Sequence, residues 1–249
     1  MADSLPKSPN PRGAAALIRQ RIETGGERMW RMEDFRNLPF TAVAQTLSRL
    51  TKSGQIERLS KGIYYRSRQT SLGKIRPNTS KLQMLASARQ NLFPSGLAAA
   101  NLLGFTTQSA RRVELATSKA SLPRKLVGMD AVIRTRRPEA WARLTDLEAA
   151  LLDFLRRGGK HSELPPAETV RKLLSLLSER GRFERLQAVA ATEPPRVRAL
   201  LGALGEQLGK PRKALRNLQD SLNPYSRFDF GVLSILPNAR AWQAKEQHS

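Results

Sequence analysis

Between residues 41 and 66 an apolar stripe of helical spacing gives way, across a single glycine, to two short runs that suit strands. Val43, Leu47 and Leu50 recur at intervals of four and three, which puts them on one face of a helix, and Gly54 supplies a left-handed stop. Thr41 is the expected N-cap of that helix. Residues 55–59 and 63–66 are then separated by Ser60-Lys61-Gly62, where Gly62 can take the positive φ of a tight turn, so a basic β-hairpin is expected.

Upstream, Ala14, Leu17, Ile18 and Ile22 share a helical face that opens at Gly13 and stops at Gly25-Gly26. A short strand around Trp30 follows. Glu33 and Asp34 then sit where a helix start prefers acids, with Phe35 and Leu38 facing inward until Pro39 ends the turn. Three helices and a hairpin in this order predict an N-terminal winged helix-turn-helix over residues 13–67, preceded by a flexible tail at 1–12 rich in Pro, Ser, Asn and Lys.

The outward side of the third helix carries Thr41, Ala42, Gln45, Thr46, Ser48, Arg49 and Lys52. Base edges and phosphates need this mixture. Arginine offers two parallel donors to guanine, glutamine can pair with adenine, and short hydroxyls reach phosphate oxygens. In the hairpin, Arg58, Lys61 and Arg66 would set cations beside the flanking phosphates, and Tyr64 is a candidate backbone contact if the alternation turns it outward and Tyr65 inward. The same polar helical face also has a plainer reading as solvated surface, and the adjoining basic hairpin is what favours the groove.

Charge agrees with that partner. Lys and Arg number 43 against 21 Asp and Glu, a formal charge of +22 that attracts polyanions, with nucleic acid ahead of anionic membrane. No apolar run approaches the roughly 18 residues of a spanning helix, and the N-terminal apolar stretch at 14–18 is too short for a signal segment, so a cytoplasmic, nucleoid-associated protein with no membrane partner is expected. With no cysteine and only His161 and His248, thiolate zinc sites, disulfides and histidine-rich metal sites drop out. Phosphate-cradling GxxxxGK[ST] and acyl-transfer GxSxG patterns are also missing. The expectation is therefore binding without catalysis, cofactor or metal. The acidic pairs Glu33 with Asp34 and Asp146 with Glu148 fit capping roles in first helical turns, and His161 is expected in an exposed loop.

Beyond the hairpin, residues 68–79 read as a basic linker, and a larger, mainly helical domain containing a small β-sheet is expected over 80–249, making the chain α+β. Ser80 to Gln83 has capping-box spacing, 94–103 suits a helix packed by small alanines, and 112–117 and 126–135 suit strands. Thr145 to Glu148 is a capping box ahead of a helix to Leu155. Pro165-Pro166 opens another that stops at Gly181, and Pro195 begins a third that stops at Gly209. Basic clusters at Arg111-Arg112, Arg134-Arg136-Arg137, Arg156-Arg157-Lys160 and Arg212-Lys213-Arg216 spread positive charge across this half.

Gly26, Trp30, Asp34-Phe35, Thr41-Ala42-Val43, Leu47-Ser48-Arg49-Leu50, Gly54, Arg58-Leu59 and Lys61-Gly62-Ile63-Tyr64-Tyr65 together make a recognisable pattern. It continues through the run from Pro94 to Gln108 and through Glu114-Leu115-Ala116-Thr117-Ser118, and over about residues 20–140 it resembles the AbiEi-type antitoxins of bacterial type IV toxin-antitoxin systems. The resemblance implies a repressor of its own operon, binding double-stranded operator DNA through the winged helix, whose C-terminal domain counters a co-encoded nucleotidyltransferase toxin of the AbiEii type. It suggests no catalytic residues. The competing expectation is a stand-alone winged-helix regulator whose C-terminal domain serves dimerisation or ligand sensing.

Overall fold

The computed structural model describes residues 11–67, 69–70, 73–74, 92–122, 127, 130–179 and 181–246. The chain is α+β, and it divides into two compact units. Of the described residues, the first takes in 11–67, 69–70, 73–74 and 127, and the second takes in 92–122, 130–179 and 181–246.

In the first unit, helix α1 (Pro11–Thr24) is followed by strand β1 (Arg28–Arg31), a single 3₁₀ turn (Met32–Phe35), helix α2 (Phe40–Lys52) and the hairpin β2 (Glu57–Ser60) and β3 (Ile63–Arg66). The three strands form an antiparallel sheet in the order β1-β3-β2, so the hairpin's second strand is central and Trp30 lies opposite Tyr64. Gly62 turns the hairpin at φ 74°, a conformation that an L-residue adopts only with strain. A register shift between Arg58 and Ser60 marks a bulge, and Leu59 is buried there.

Sidedness holds this unit together. Ile18 and Ile22 of α1 meet Val43, Leu47 and Leu50 of α2, with Trp30 stacked on Phe35 at 5.6 Å and Tyr64 closing the core. Leu47 is fully buried, and such burial contributes about 1.5–3 kcal/mol.

Several local expectations are corrected. Helix α1 begins at Pro11, inside the expected tail, because proline tolerates the first helical turn, and Leu17 is 43% exposed instead of facing the core. Helix two is only the 3₁₀ turn: the Asp34 carboxylate accepts the Arg31 amide at 2.7 Å, and Pro39 follows too soon for an α-helix to grow. Thr41 is not the N-cap of α2, a position held by Pro39 without any side-chain cap. Part of the expected linker pairs as β4 (Gln69–Thr70) with β5 (Gly73–Lys74). The capping box expected at Ser80 to Gln83 lies outside the described residues.

The second unit is built on a small sheet of β6 (Leu92–Pro94), β7 (Glu114–Thr117) and β8 (Val132–Arg134), with β7 central, antiparallel to β6 and parallel to β8. Helices α3 (Gly96–Leu102) and α4 (Asp146–Arg156) pack beside it, followed by α5 (Pro166–Ser178), α6 (Arg182–Val189), α7 (Pro195–Gln207) and α8 (Arg212–Asp220). The expected capping box is present: Thr145 Oγ1 accepts the Glu148 amide at 3.3 Å while the Glu148 carboxylate accepts the Thr145 amide at 2.9 Å. Helices α6 and α8 were not expected. Gly181 does not end α5 but sits at φ 65° as the N-cap of α6, which turns one expected helix stop into a helix start.

Phe105 stacks on Phe154 at 4.1 Å and Trp141 is fully buried in the core of this unit. On α7, Gly202 lies flat against the Trp242 ring, and a Cβ there would fall 2.0 Å from a ring carbon. Helix α7 therefore reads as glycine at this point because an aromatic ring occupies the place of its side chain.

Candidate nucleic-acid interface

At 100° per residue, Thr41, Gln45, Ser48, Arg49 and Lys52 of α2 fall within an arc of about 100°, and all five are exposed. The opposite arc carries Ala42, Val43, Thr46, Leu47 and Leu50, all buried. Ala42 at 8% and Thr46 at 3% exposure are therefore removed from the candidate surface. Both sit at the margin of the inner arc, which is wider than the Val43-Leu47-Leu50 stripe because α1 and the 3₁₀ turn pack against α2. Arg49 and Lys52 also occupy the last turn, where cations complement the helix dipole.

Arg58 and Lys61 are exposed on the hairpin, and Arg58 Nε donates to the Ser60 carbonyl at 3.3 Å. Two hairpin candidates point elsewhere. Tyr64 is 6% exposed and belongs to the core, and Tyr65, on the other sheet face, is buried as well, its hydroxyl donating to Glu27. The simple alternation of one tyrosine in and one out fails because both faces of β3 are covered. Burial, reinforced by the Glu27 carboxylate, raises the Tyr65 pKa, so its hydroxyl keeps its proton. Arg66 turns its guanidinium to the Ile22 and Glu23 carbonyls, which leaves it capping the end of α1.

The arrangement thus brings together Thr41, Gln45, Ser48, Arg49 and Lys52 on one helical face and Arg58 and Lys61 on the adjoining hairpin, and sets aside Ala42, Thr46, Tyr64 and Arg66. It also reveals Phe40, which sequence periodicity missed. This side chain is 73% exposed in the first turn of α2, one residue before Thr41. The only available signal was its place directly after Pro39, outside the apolar stripe.

A cavity of about 570 Å3 in the first unit lies between the C-terminal ends of α1 and α2 and the end of β3, with Glu23 and Glu27 opposing Arg19 and Arg66. Its mixed signs distinguish it from the uniformly polar and basic face of α2. Among the described residues no group of three or more His, Asp or Glu side chains is placed to hold a metal, and no helix is long and apolar enough to cross a membrane. The acidic pairs are engaged structurally: Asp34 caps the 3₁₀ turn, and Glu148 combines its capping role with an ion pair to Arg185. His161 is partly buried rather than exposed, and burial together with Arg157 lowers its pKa, which favours the neutral ring.

Residues 25–136 match the profile of a family described as a family of unknown function, DUF6088. No curated protein matches the chain. Among solved structures, the crystal structure of the RV2827C protein from Mycobacterium tuberculosis is similar, at 17% identity and a TM-score of 0.41, over 90% of this chain and 88% of that one.

Proposed function

We propose that the protein binds duplex DNA by laying the outer face of α2 into the major groove while the β2–β3 hairpin rides on the adjacent backbone. The observation that carries this reading is the division of α2 into a buried arc and an exposed polar arc of five residues, with two exposed cations on the hairpin that follows it in sequence. Helix, strand, short turn, helix and hairpin in this order support a winged helix-turn-helix. Arg49 and Gln45 are the base readers, and Thr41, Ser48, Lys52, Arg58 and Lys61 contact phosphates.

In the cell this activity serves autorepression by an antitoxin. The resemblance to AbiEi-type proteins supports that role, in which the chain silences an operon encoding a nucleotidyltransferase toxin and counters the toxin itself. A salt titration of the full chain on duplex from its own promoter tests the binding mode, because neutralising six to ten phosphates lowers affinity on the order of 10³ to 10⁵-fold between low and moderate salt. A flat titration rejects it. Co-expression of the full chain with a neighbouring nucleotidyltransferase gene, read as growth rescue, tests the antitoxin role separately.

A further inference from the structure

The second unit gathers arginines from three distant parts of the sequence. The segment leaving β8, the C-terminal end of α4 and the N-terminal end of α7 line a concavity of about 310 Å3 with Arg134, Arg137, Arg156, Arg157 and Arg196. Two carboxylates reach three of these five guanidiniums. Asp153 binds Arg137 at 2.8 Å and Arg157 at 3.0 Å, and Glu193 binds Arg156 at 2.6 Å. Among the described residues no carboxylate pairs with Arg134 or Arg196, and Arg196 reaches only the Asp229 carbonyl, at 3.4 Å. Five cations against two anions leave three positive charges unneutralised in one concave space.

A solvated basic surface would spread such charges apart. Here Arg137 and Arg156 lie over the same Trp141 ring, at 5.5 and 5.4 Å from its centroid, and both side chains are mostly covered. Arg137 Nε is buried with no hydrogen-bond partner, a donor that folding has desolvated without compensation. Like charges held together beside an orphaned donor gain most when an anion enters between them.

We propose that this pocket binds the phosphoryl or diphosphate group of a small phosphorylated metabolite. Guanidiniums present paired donors that match tetrahedral phosphoryl oxygens, and Asp153 and Glu193 fix three of them in advance. A lone carboxylate ligand would leave two of the three surplus charges unanswered, whereas a terminal phosphate or diphosphate answers two or three. A volume near 310 Å3 is at the small end of ligand cavities and admits a phosphate with a sugar-sized appendage. A backbone phosphodiester brings a single charge, which answers only one of the three surplus cations. The site lies wholly within the second unit and does not depend on the DNA reading.

Calorimetric titration of the full chain with inorganic pyrophosphate, with ATP and with a short DNA duplex at constant ionic strength tests the assignment. Saturable binding of pyrophosphate or ATP is expected, weakened about tenfold or more in the double variant Arg134→Ala/Arg196→Ala because two charge-assisted partners are lost. The control Arg212→Ala/Lys213→Ala, which removes equal charge from α8, should change affinity less than about twofold through general screening alone. Absence of saturable binding, or equal weakening in both double variants, overturns the proposal. So does a duplex that displaces pyrophosphate and itself loses affinity in the Arg134→Ala/Arg196→Ala protein, since the phosphate would then belong to DNA. Should the double variant fail to fold, Arg134→Ala alone, at an exposed position, carries the same comparison.

Discussion

Arginine does opposite work in the two units. On α2, Arg49 is exposed on a helical face, while in the second unit Arg137, Arg156 and Arg157 are held by buried carboxylates and mostly withdrawn from water. An exposed guanidinium keeps its hydration and loses little when an incoming phosphate replaces that water. A buried one must be compensated within the fold, so carboxylates accompany it. The contrast teaches that a charge of +22 is a poor guide to a binding surface until each cation's partners are known.

The largest test strikes the buried side. Asp153 is fully buried and accepts hydrogen bonds from the Gly96 amide at 2.8 Å, Ser95 Oγ at 3.1 Å, and Arg137 and Arg157. Asp153→Ala strands two guanidiniums and is expected to cost about 3–5 kcal/mol, read by chemical denaturation. Stability unchanged within error would mean that these arginines are as independent as Arg49.

Arg49→Ala tests the exposed side. An expected loss of about 1–3 kcal/mol in DNA affinity, with relaxed preference at one base pair, should come with an unaltered melting temperature. A fall in stability comparable to the fall in affinity would erase the distinction between the units.

Acid sharpens the comparison further. Burial alone would raise the Asp153 pKa, yet the Gly96 amide and the two arginines hold it below the usual carboxylate range, and Glu148 is likewise depressed by Thr145 and Arg185 against its burial. A carboxylate whose folded pKa lies below its unfolded value stabilises fully above the unfolded value, about 4, and that contribution disappears as pH falls through the folded value. The thermal midpoint should therefore drop below about pH 4, and less steeply in Asp153→Asn, which has no proton to take up there. Parallel profiles for the two proteins would remove Asp153 from the account.

The smallest effect separates two hairpin cations. Lys61→Ala should lower the salt slope of DNA binding by about one, whereas Arg66→Ala should leave that slope unchanged and cost about 0.3–1 kcal/mol of stability from the end of α1. The reverse pattern in gel-shift and denaturation data would exchange their roles.

Much of the first unit was legible because its signals are local. Gly26, Gly54 and Gly62 all adopt the left-handed conformation that their positions called for, and Val43, Leu47 and Leu50 point inward as their spacing demands. What escaped was set by packing between elements. Thr46 and Ala42 look like outer-face residues until the elements packed on α2 cover them, Tyr64 and Tyr65 are both buried because both sheet faces are covered, and Arg66 faces α1 because a helix end there needs donors. In the second unit the capping box at Thr145 was readable, but the arginine pocket was not. Its members come from positions as far apart as 134 and 196, and no spacing rule joins them.

The Trp242 ring that replaces a side chain at Gly202 has a consequence for how the last described turn is anchored. The same indole donates its Nε1 to the Glu206 carboxylate at 2.8 Å, one turn further along α7, so a single aromatic residue is clasped by shape at one point and by a hydrogen bond at the next. A methyl group at position 202 would push the ring away from both at once.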